Sequence, residues 1–424
     1  MLDPKFIREN ADFVREGARK KHIKADVDGW IEADARKREL MSQVESIRSE
    51  RKKGSEEVKS LKGAERDAAV AAMKELSARL KELEPELDQI QQKADELILA
   101  IPAPPLPEVP EGKSDEENVE LKRVGNLPSF DFTPKDHVEL GEALDILDIE
   151  RGVKISGSRF YFLKGAGAML EQAILKFAFD HMCGKGYVPM VVPMLVNEQA
   201  MIGTGYFPTG RDQAYYIEKD EMALVGTAEV SLTSYHSDEI LETSQLPVKI
   251  FGMSGCFRRE AGTYGKDTRG IYRIHQFQKV EQVVLCRADD EESDRIHAEL
   301  VNNAEEVLQA LELPYRTVNV CAGDLGMGQV KKTDIEVWMP SRNAYGETHS
   351  CSTFHEYQAR RLKIRYRDEE GRNRHVHTLN NTVIASPRIL IPLLEIHQQS
   401  DGSIRVPKAL VPYMGGMEVI VPRG

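Results

Sequence analysis

Long apolar runs are missing from this 424-residue chain. The best candidate, Val188 to Val196, is interrupted by prolines and falls far short of the ~18 to 20 residues that a membrane-spanning helix needs. The start, MLDPKFIREN, carries no apolar core of the kind that directs secretion. Neither a membrane partner nor export is expected. Cysteine is scarce as well: Cys183, Cys256, Cys286, Cys321 and Cys351 are odd in number, scattered and without a CxxC pair. That excludes a disulfide frame and points to a reducing, cytoplasmic location. An excess of positive charge is also missing, since 57 Lys and Arg face 69 Asp and Glu for a net charge of -12. A protein coated throughout in nucleic acid is thereby excluded. The deficit is uneven, however. Residues 1 to 100 are almost neutral at -1, which leaves -11 on the remainder, so a polyanionic partner is expected to prefer the N-terminal part.

Glycine and proline nearly vanish between Trp30 and Leu99, where only Gly54, Gly63 and Pro85 occur. What fills that stretch is periodic. Met73, Leu76, Leu80, Leu83, Leu87, Ile90, Ala94 and Leu97 alternate steps of three and four, the seam of a coiled coil. Leu40, Val44, Ile47, Arg51, Gly54, Val58 and Leu61 repeat the pattern, weakened in the middle by Arg51 and Gly54. The spacing predicts two helices of about 30 residues folded into an antiparallel hairpin at Gly63, with a kink at Pro85. A dimerisation coil or spacer is the plain reading of such an arm. Against it, the stretch from Arg36 to Lys62 has nine basic and five acidic residues, a local +4 that suits a phosphate backbone. Arg36, Arg48, Arg51, Lys52, Lys53 and Lys59 are the candidate contacts to such a backbone on this face.

The segment IPAPPLPEVP, with five prolines between Pro102 and Pro110, reads as a stiff linker. It divides residues 1–105 from residues 106–424. Beyond it short β-rich runs mix with helices, and several strands follow one another with few helices between them, which argues an α+β domain with a largely antiparallel sheet. Predicted elements include strands at 160–164, 251–259 and 274–285, and a helix over 168–182.

Chemistry concentrates between Cys256 and Leu285, CFRREAGTYGKDTRGIYRIHQFQKVEQVVL. Two alternating strands flank a loop holding Arg258, Arg259, Glu260, Lys266, Asp267, Arg269 and Arg273. Period-two alternation places Arg258 with Glu260 on one face, and His275, Phe277, Lys279 and Glu281 on one face of the other strand. A guanidinium for phosphate, a ring for a base and carboxylates for an amine or hydroxyl together suit a nucleotide site. On charge pattern alone, an exposed hairpin with cross-strand ion pairs is the simpler reading.

The segment FRREAG…HQFQKVE resembles motif 2 of the class II aminoacyl-tRNA synthetases in the form found in seryl-tRNA synthetases. Gly186 to Val196, with Pro193, resembles motif 1, and Thr378 to Glu395, with Arg388, resembles motif 3. Gly226, Thr227, Ala228 and Glu229 are similar to the family's TxE loop, and YGETHSCS followed by YQARR to the segment before motif 3. The likeness runs in order along essentially the whole chain. It implies an N-terminal antiparallel coiled-coil hairpin that binds tRNA, followed by a catalytic domain with a central antiparallel β-sheet flanked by helices. It further implies ATP and Mg²⁺ as cofactors, L-serine and tRNA(Ser) as substrates with tRNA(Sec) as a further partner, and a homodimer formed through motif 1.

Residue by residue, the resemblance puts Arg258 on the α-phosphate of ATP, Glu260 on the nucleotide or the serine amine, and Arg388 on the γ-phosphate. Phe277 stacks on adenine with Ile274 beside it, and Arg259 belongs to the same nucleotide set. Glu347 and Ser350 hold Mg²⁺ with the phosphates, while Thr348 and His349 give backbone or peripheral contacts. Thr227, Ala228, Glu229, Glu281 and Thr382, with Arg258, form the serine pocket. Where relatives have a glycine-rich entry to motif 3, this chain has Asn380 to Pro387, expected to be a loop whose small Ala385 and Ser386 still admit ATP.

Two competing signals need weighing. His349, Cys351, His355, His375 and His377 are zinc donors in kind, but their spacing fits no structural zinc frame and the segment is accounted for by nucleotide binding. A prolyl or threonyl synthetase would carry an anticodon domain after motif 3, for which the 29 residues beyond Glu395 are too few. A non-catalytic RNA-binding protein with a synthetase-like fold is the alternative from another class. Loss of Arg258, Glu260, Glu347 or Arg388 would mark it, and all four are present.

Overall fold

The computed structural model describes residues 1–263, 265 and 269–422. Lys266 and Asp267, counted above among the loop charges, lie outside the described residues. The chain divides into two compact bodies, residues 1–19 with 23–104, and residues 20–22 with 105–424.

The first body is helical. Helix α1 (Pro4–Glu9) starts on Asp3, whose carboxylate accepts from the amides of Lys5 and Phe6. It is followed by α2 (Ala11–Lys20), α3 (Val27–Glu57) and α4 (Ala64–Leu99). The turn between the long pair contains Gly63 at φ 58°, a conformation that favours glycine even though a Cβ there would meet open space. Contacts descend along one helix as they climb the other. Trp30 and Ala33 pack with Ala94 and Ile98, Val44 and Ile47 with Leu80, and Gly54 faces Met73. The hairpin is therefore antiparallel and follows the expected seam. Arg51 interrupts the seam from an exposed position, and α4 runs on through Pro85. Ile7 and Val14, from two short helices that the periodicity did not reveal, close the base of the arm together with Val27 and Ile101.

The second body is built on an eight-stranded sheet. Its strands are β1 (Val119–Val124), β2 (Val188–Met190), β3 (Val248–Phe257), β4 (Gln276–Cys286), β5 (Tyr315–Asn319), β6 (Lys331–Met339), β7 (Ala344–His355) and β8 (His377–Ser386). They lie in the order β1-β5-β6-β7-β8-β4-β3-β2. Every pairing is antiparallel except that of the edge strand β2, which runs parallel to β3. Strand β4 shows why both faces are covered. Val280 and Val284 enter a core with α5 (Ala166–Gly184) and α7 (Asp290–Ala310), whereas Val283 and Leu285 enter a second one with α6 (Glu229–Ser234) and α8 (Tyr357–Leu362).

Two expectations are corrected. The stretch Asn380–Ser386 is not a loop but the body of β8, whose Thr382, Val383 and Ile384 are buried between β4 and β7. Residues 160–164 contribute only a two-residue strand, Phe162–Leu163.

Candidate active site

A cavity of about 250 Å³ opens where β4, β7 and β8 meet the hairpin between β3 and β4. Strand β3 ends at Phe257, paired with Gln276, and just beyond it the Arg258 amide donates to the His275 carbonyl at 2.9 Å. Arg258 thus leaves the sheet at a fixed point. Its Nε donates to the Gly226 carbonyl at 3.3 Å, and its guanidinium carbon lies 5.2 Å from the centre of the Phe277 ring. Glu260 reaches the same cavity because its backbone turns left-handed at φ 52°, not through strand alternation as expected. Its carboxylate accepts from Arg273 at 2.7 Å.

Along β4, Phe277, Lys279 and Glu281 do share one face and all line the cavity. His275 does not. It precedes the strand and packs against Phe160 and Tyr215. Deeper in, Lys279 and Glu281 form a buried ion pair, Glu281 accepts from the Thr227 hydroxyl at 3.3 Å, and Thr382 lies opposite Glu281 on β8. Glu229, at the start of α6, accepts from the Tyr206 hydroxyl and from Gln358 Nε2, each at 2.8 Å. Burial, and then the negative charge of Glu281, raise the Glu229 pKa above the ordinary carboxylate value.

The outer wall is more cationic. Arg388 follows β8, donates to the Glu347 carbonyl at 2.8 Å and lies 4.3 Å from the centre of the Tyr272 ring. Glu347 and Ser350 face the cavity from β7. Burial opposes ionisation of Glu347, yet the positive charges of Arg388, Lys332, Arg258 and Arg273 outweigh it and lower its pKa. Beneath it Asp334 sits 3.1 Å from Lys332, and burial pushes its pKa up to about 7.

Ile274 and Thr348 also line the cavity. Three residues of the expected set do not. Arg259 is exposed, and its amide donates to the Gln213 carbonyl at 2.9 Å. Ala228 is buried in the apolar layer beside α6. The His349 ring is buried, bonded to Thr348 Oγ1 and the Val383 carbonyl, so its side chain does not face the cavity. Lys279, Tyr206, Arg273, Tyr272 and Gln358 were not assigned a role by the sequence. Lys279 had a signal in its place between Phe277 and Glu281 in the alternation, Arg273 as one of the loop charges, and Gln358 as part of the YQARR segment, whereas Tyr206 and Tyr272 had none.

On the separate arm, Arg36 pairs with Glu39 and Glu86, and Arg48 with Glu84. Arg51, Lys52, Lys53 and Lys59 are exposed, and among the described residues no ion pair is found for them.

A sheet of this order, with an arginine leaving β3, another following β8 and acids between them, defines a class II aminoacyl-tRNA synthetase core. Residues 215–397 match the family model of the class II tRNA synthetase core domain for G, H, P, S and T, and residues 1–105 match that of the seryl-tRNA synthetase N-terminal domain. A serine–tRNA ligase of Deinococcus radiodurans is 49% identical over 420 residues, 99% of each chain. One from Rubrobacter xylanophilus is 44% identical over 424 residues, covering 100% of this chain and 99% of its own. The crystal structure of seryl-tRNA synthetase from Pyrococcus horikoshii complexed with ATP superimposes over 100% of both chains with a TM-score of 0.93 at 38% identity. The chain belongs to the seryl-tRNA synthetase family.

Proposed function

We infer that this chain activates L-serine with ATP to seryl-adenylate and pyrophosphate, then transfers the seryl group to the 3′ end of tRNA(Ser). The observation that carries the reading is one cavity lined by Arg258, Phe277, Glu281, Glu347 and Arg388. Within it Arg258 takes the α-phosphate, Phe277 and Ile274 the adenine, and Arg388 the γ-phosphate. Glu260 takes the nucleotide or the amine, and Thr227, Glu229, Glu281 and Thr382 take serine.

The serine carboxylate is already ionised at neutral pH, so the first step needs no general base. It needs reactants held in line and charge neutralised as the α-phosphorus is attacked. Arg258, docked on Gly226 and on the Phe277 ring, is preorganised for that role. Glu347 stays ionised and Ser350 adds a hydroxyl, a hard oxygen donor set that fits Mg²⁺. Bound there, the ion would neutralise phosphate charge. A pocket that hydrogen-bonds the serine hydroxyl through Glu281 and Thr382 leaves buried polar groups unpaired when alanine enters, a discrimination of the order of 10⁴ in favourable sites.

Residues 1–105 serve as the tRNA-binding domain and 106–424 as the catalytic domain. The arm reads the shape and backbone of tRNA(Ser), and of tRNA(Sec) by the same contacts, leaving the anticodon unread. A homodimer through residues 186–196 is supported by exposed apolar side chains at and beside this edge of the sheet, Val188, Val191, Met194 and Met253. No helix among the described residues is long and apolar enough to cross a membrane, and the cysteines are free, consistent with a cytoplasmic enzyme.

Pyrophosphate exchange across the twenty amino acids, with and without Mg²⁺, tests the reading. Exchange specific for serine and dependent on Mg²⁺ is expected. A chain that binds tRNA but exchanges with no amino acid would instead be the non-catalytic RNA-binding alternative. Deleting residues 30–99 should spare exchange and abolish aminoacylation.

A further inference from the structure

Of the five possible zinc donors near the end of the sequence, the fold separates His349 and Cys351 from the others. Both are buried and already engaged, His349 with Val383 and Thr348, Cys351 beside His297. It brings His355 and His377 together instead, with a third residue from far along the chain. One ligand atom from each of Asp290, His355 and His377 lies within 4.8 Å of the others. We propose that these three residues form a binding site for a divalent transition-metal ion of the zinc type.

Each ligand comes from a different element. Asp290 opens helix α7, His355 ends strand β7 and His377 begins strand β8. The register between β7 and β8 shifts at Thr353/His355, and His355 is left-handed at φ 47°. A bulge of this kind re-aims a side chain, and here the imidazole comes to lie over its neighbour. The two rings are 4.3 Å apart and 13° from parallel. Ring lone pairs lie in the ring planes, so two stacked rings aim them along nearly parallel lines, and binding one ion requires the His355 ring to turn out of the stack.

The surroundings suit a cation. His377 Nδ1 lies 2.8 Å from the Ser293 hydroxyl; in the tautomer whose Nδ1–H donates to that oxygen, the ring is held and Nε2 carries the lone pair for a metal. Asp290, Asp294, Glu356 and Glu108 all act on His355 with negative charge, whereas Arg374 acts on His377 with positive charge. Two imidazoles and a carboxylate favour zinc over magnesium, and three protein ligands leave a position for water. Ligand atoms around one zinc ion sit about 3 to 3.5 Å apart, given bonds of roughly 2.1 Å. The turn out of the stack falls to His355, which is only partly buried, and Asp290, which is exposed, closes the remaining distance. His377 precedes Thr382 by five residues on β8, roughly 17 Å along the strand, and none of the three ligands lines the active-site cavity. The ion would pin α7 to the ends of β7 and β8.

The test uses the full chain, stripped with chelator and titrated with ZnCl₂ against a chromophoric competitor while Mg²⁺ is held in large excess. One equivalent should bind, and the melting temperature should rise with it. His355→Ala and Asp290→Asn should each weaken binding at least about 100-fold, and Ser293→Ala about tenfold. Since both His355 and Asp290 reach the surface, these variants should melt like the parent when no metal is present. Replacing zinc by Co²⁺ should give visible bands of a nitrogen- and oxygen-ligated site that vanish in His355→Ala. Absence of the one-equivalent event, or binding that His355→Ala and Asp290→Asn leave unchanged, would overturn the proposal.

Discussion

Arg258 and Arg259 are adjacent in sequence, yet the first lines the cavity and the second does not. Arg258→Ala removes a preorganised donor and should slow serine-dependent pyrophosphate exchange by about 10² to 10³. Arg259→Ala should change it by less than about threefold, because its side chain is exposed and outside the cavity. Equal losses in the two variants would mean that the guanidinium of Arg258 has no special place. A second residue-scale effect concerns pH. His297 is buried between the hydroxyls of Thr353 and Thr333, both at 2.9 Å, and burial lowers its pKa to about 3. An unfolded histidine titrates near 6.5, so below that value the unfolded chain binds a proton that the folded one refuses. Stability from this residue is therefore fully present above about pH 6.5 and is lost as pH falls toward 3. Compared by urea denaturation at several pH values, the advantage of the parent over His297→Gln should shrink by about 1.4 kcal/mol per pH unit below 6.5. A constant difference would show that the imidazole charges freely in place.

Among the elements, the arm was the most legible in the sequence, and for a physical reason. Two helices that pack only on each other must repeat apolar residues every three and four positions, so the pattern is long and clean. Leu80 is its most buried leucine on α4, packed on Val44 and Ile47. Leu80→Ala should cost about 2 kcal/mol, the low end for a buried leucine, because a narrow seam can partly collapse. Hydrogen exchange should quicken at residues 40–50 and 76–87 while pyrophosphate exchange holds; unchanged protection there would mean that the seam is not what stabilises the arm. Helix α1 escaped notice because six residues are too few to show a period, and α2 because two of its three buried positions are the small Gly17 and Ala18. The strands of motif 2 were legible by alternation, but β8 from Asn380 onward read as a loop. It is buried on both faces, so no alternation marks it, and two asparagines at 380 and 381 mimic turn chemistry. In the site, motif residues could be named but not their supports. Tyr206 and Gln358 reach Glu229 across 23 and 129 residues of sequence, and such long-range polar contacts leave no local spacing to read.

Taken whole, the molecule presents a conflict between its net charge of -12 and a polyanionic substrate. Repulsion from the surface at large is screened beyond a Debye length, roughly 8 to 10 Å at ordinary salt, so binding is decided by the local cations that meet tRNA. Of the six candidate contacts, Arg36 and Arg48 are already tied to glutamates across the hairpin, which leaves Arg51, Lys52, Lys53 and Lys59 as the exposed ones available to phosphate. Each phosphate contact releases counterions and steepens the fall of affinity with salt. Changing these four residues to glutamine should therefore lower kcat/KM for tRNA, and should flatten its dependence on log salt by about one unit for each contact removed. KM for serine and ATP in pyrophosphate exchange should stay the same, since no residue lining the cavity belongs to the arm. Arg36→Gln with Arg48→Gln should alter the slope less, because exposed ion pairs of this kind contribute little and their charge is already answered. A quadruple variant with the parent's salt slope would mean that tRNA approaches by another surface, and the +4 between Arg36 and Lys62 would then be only a solvated face.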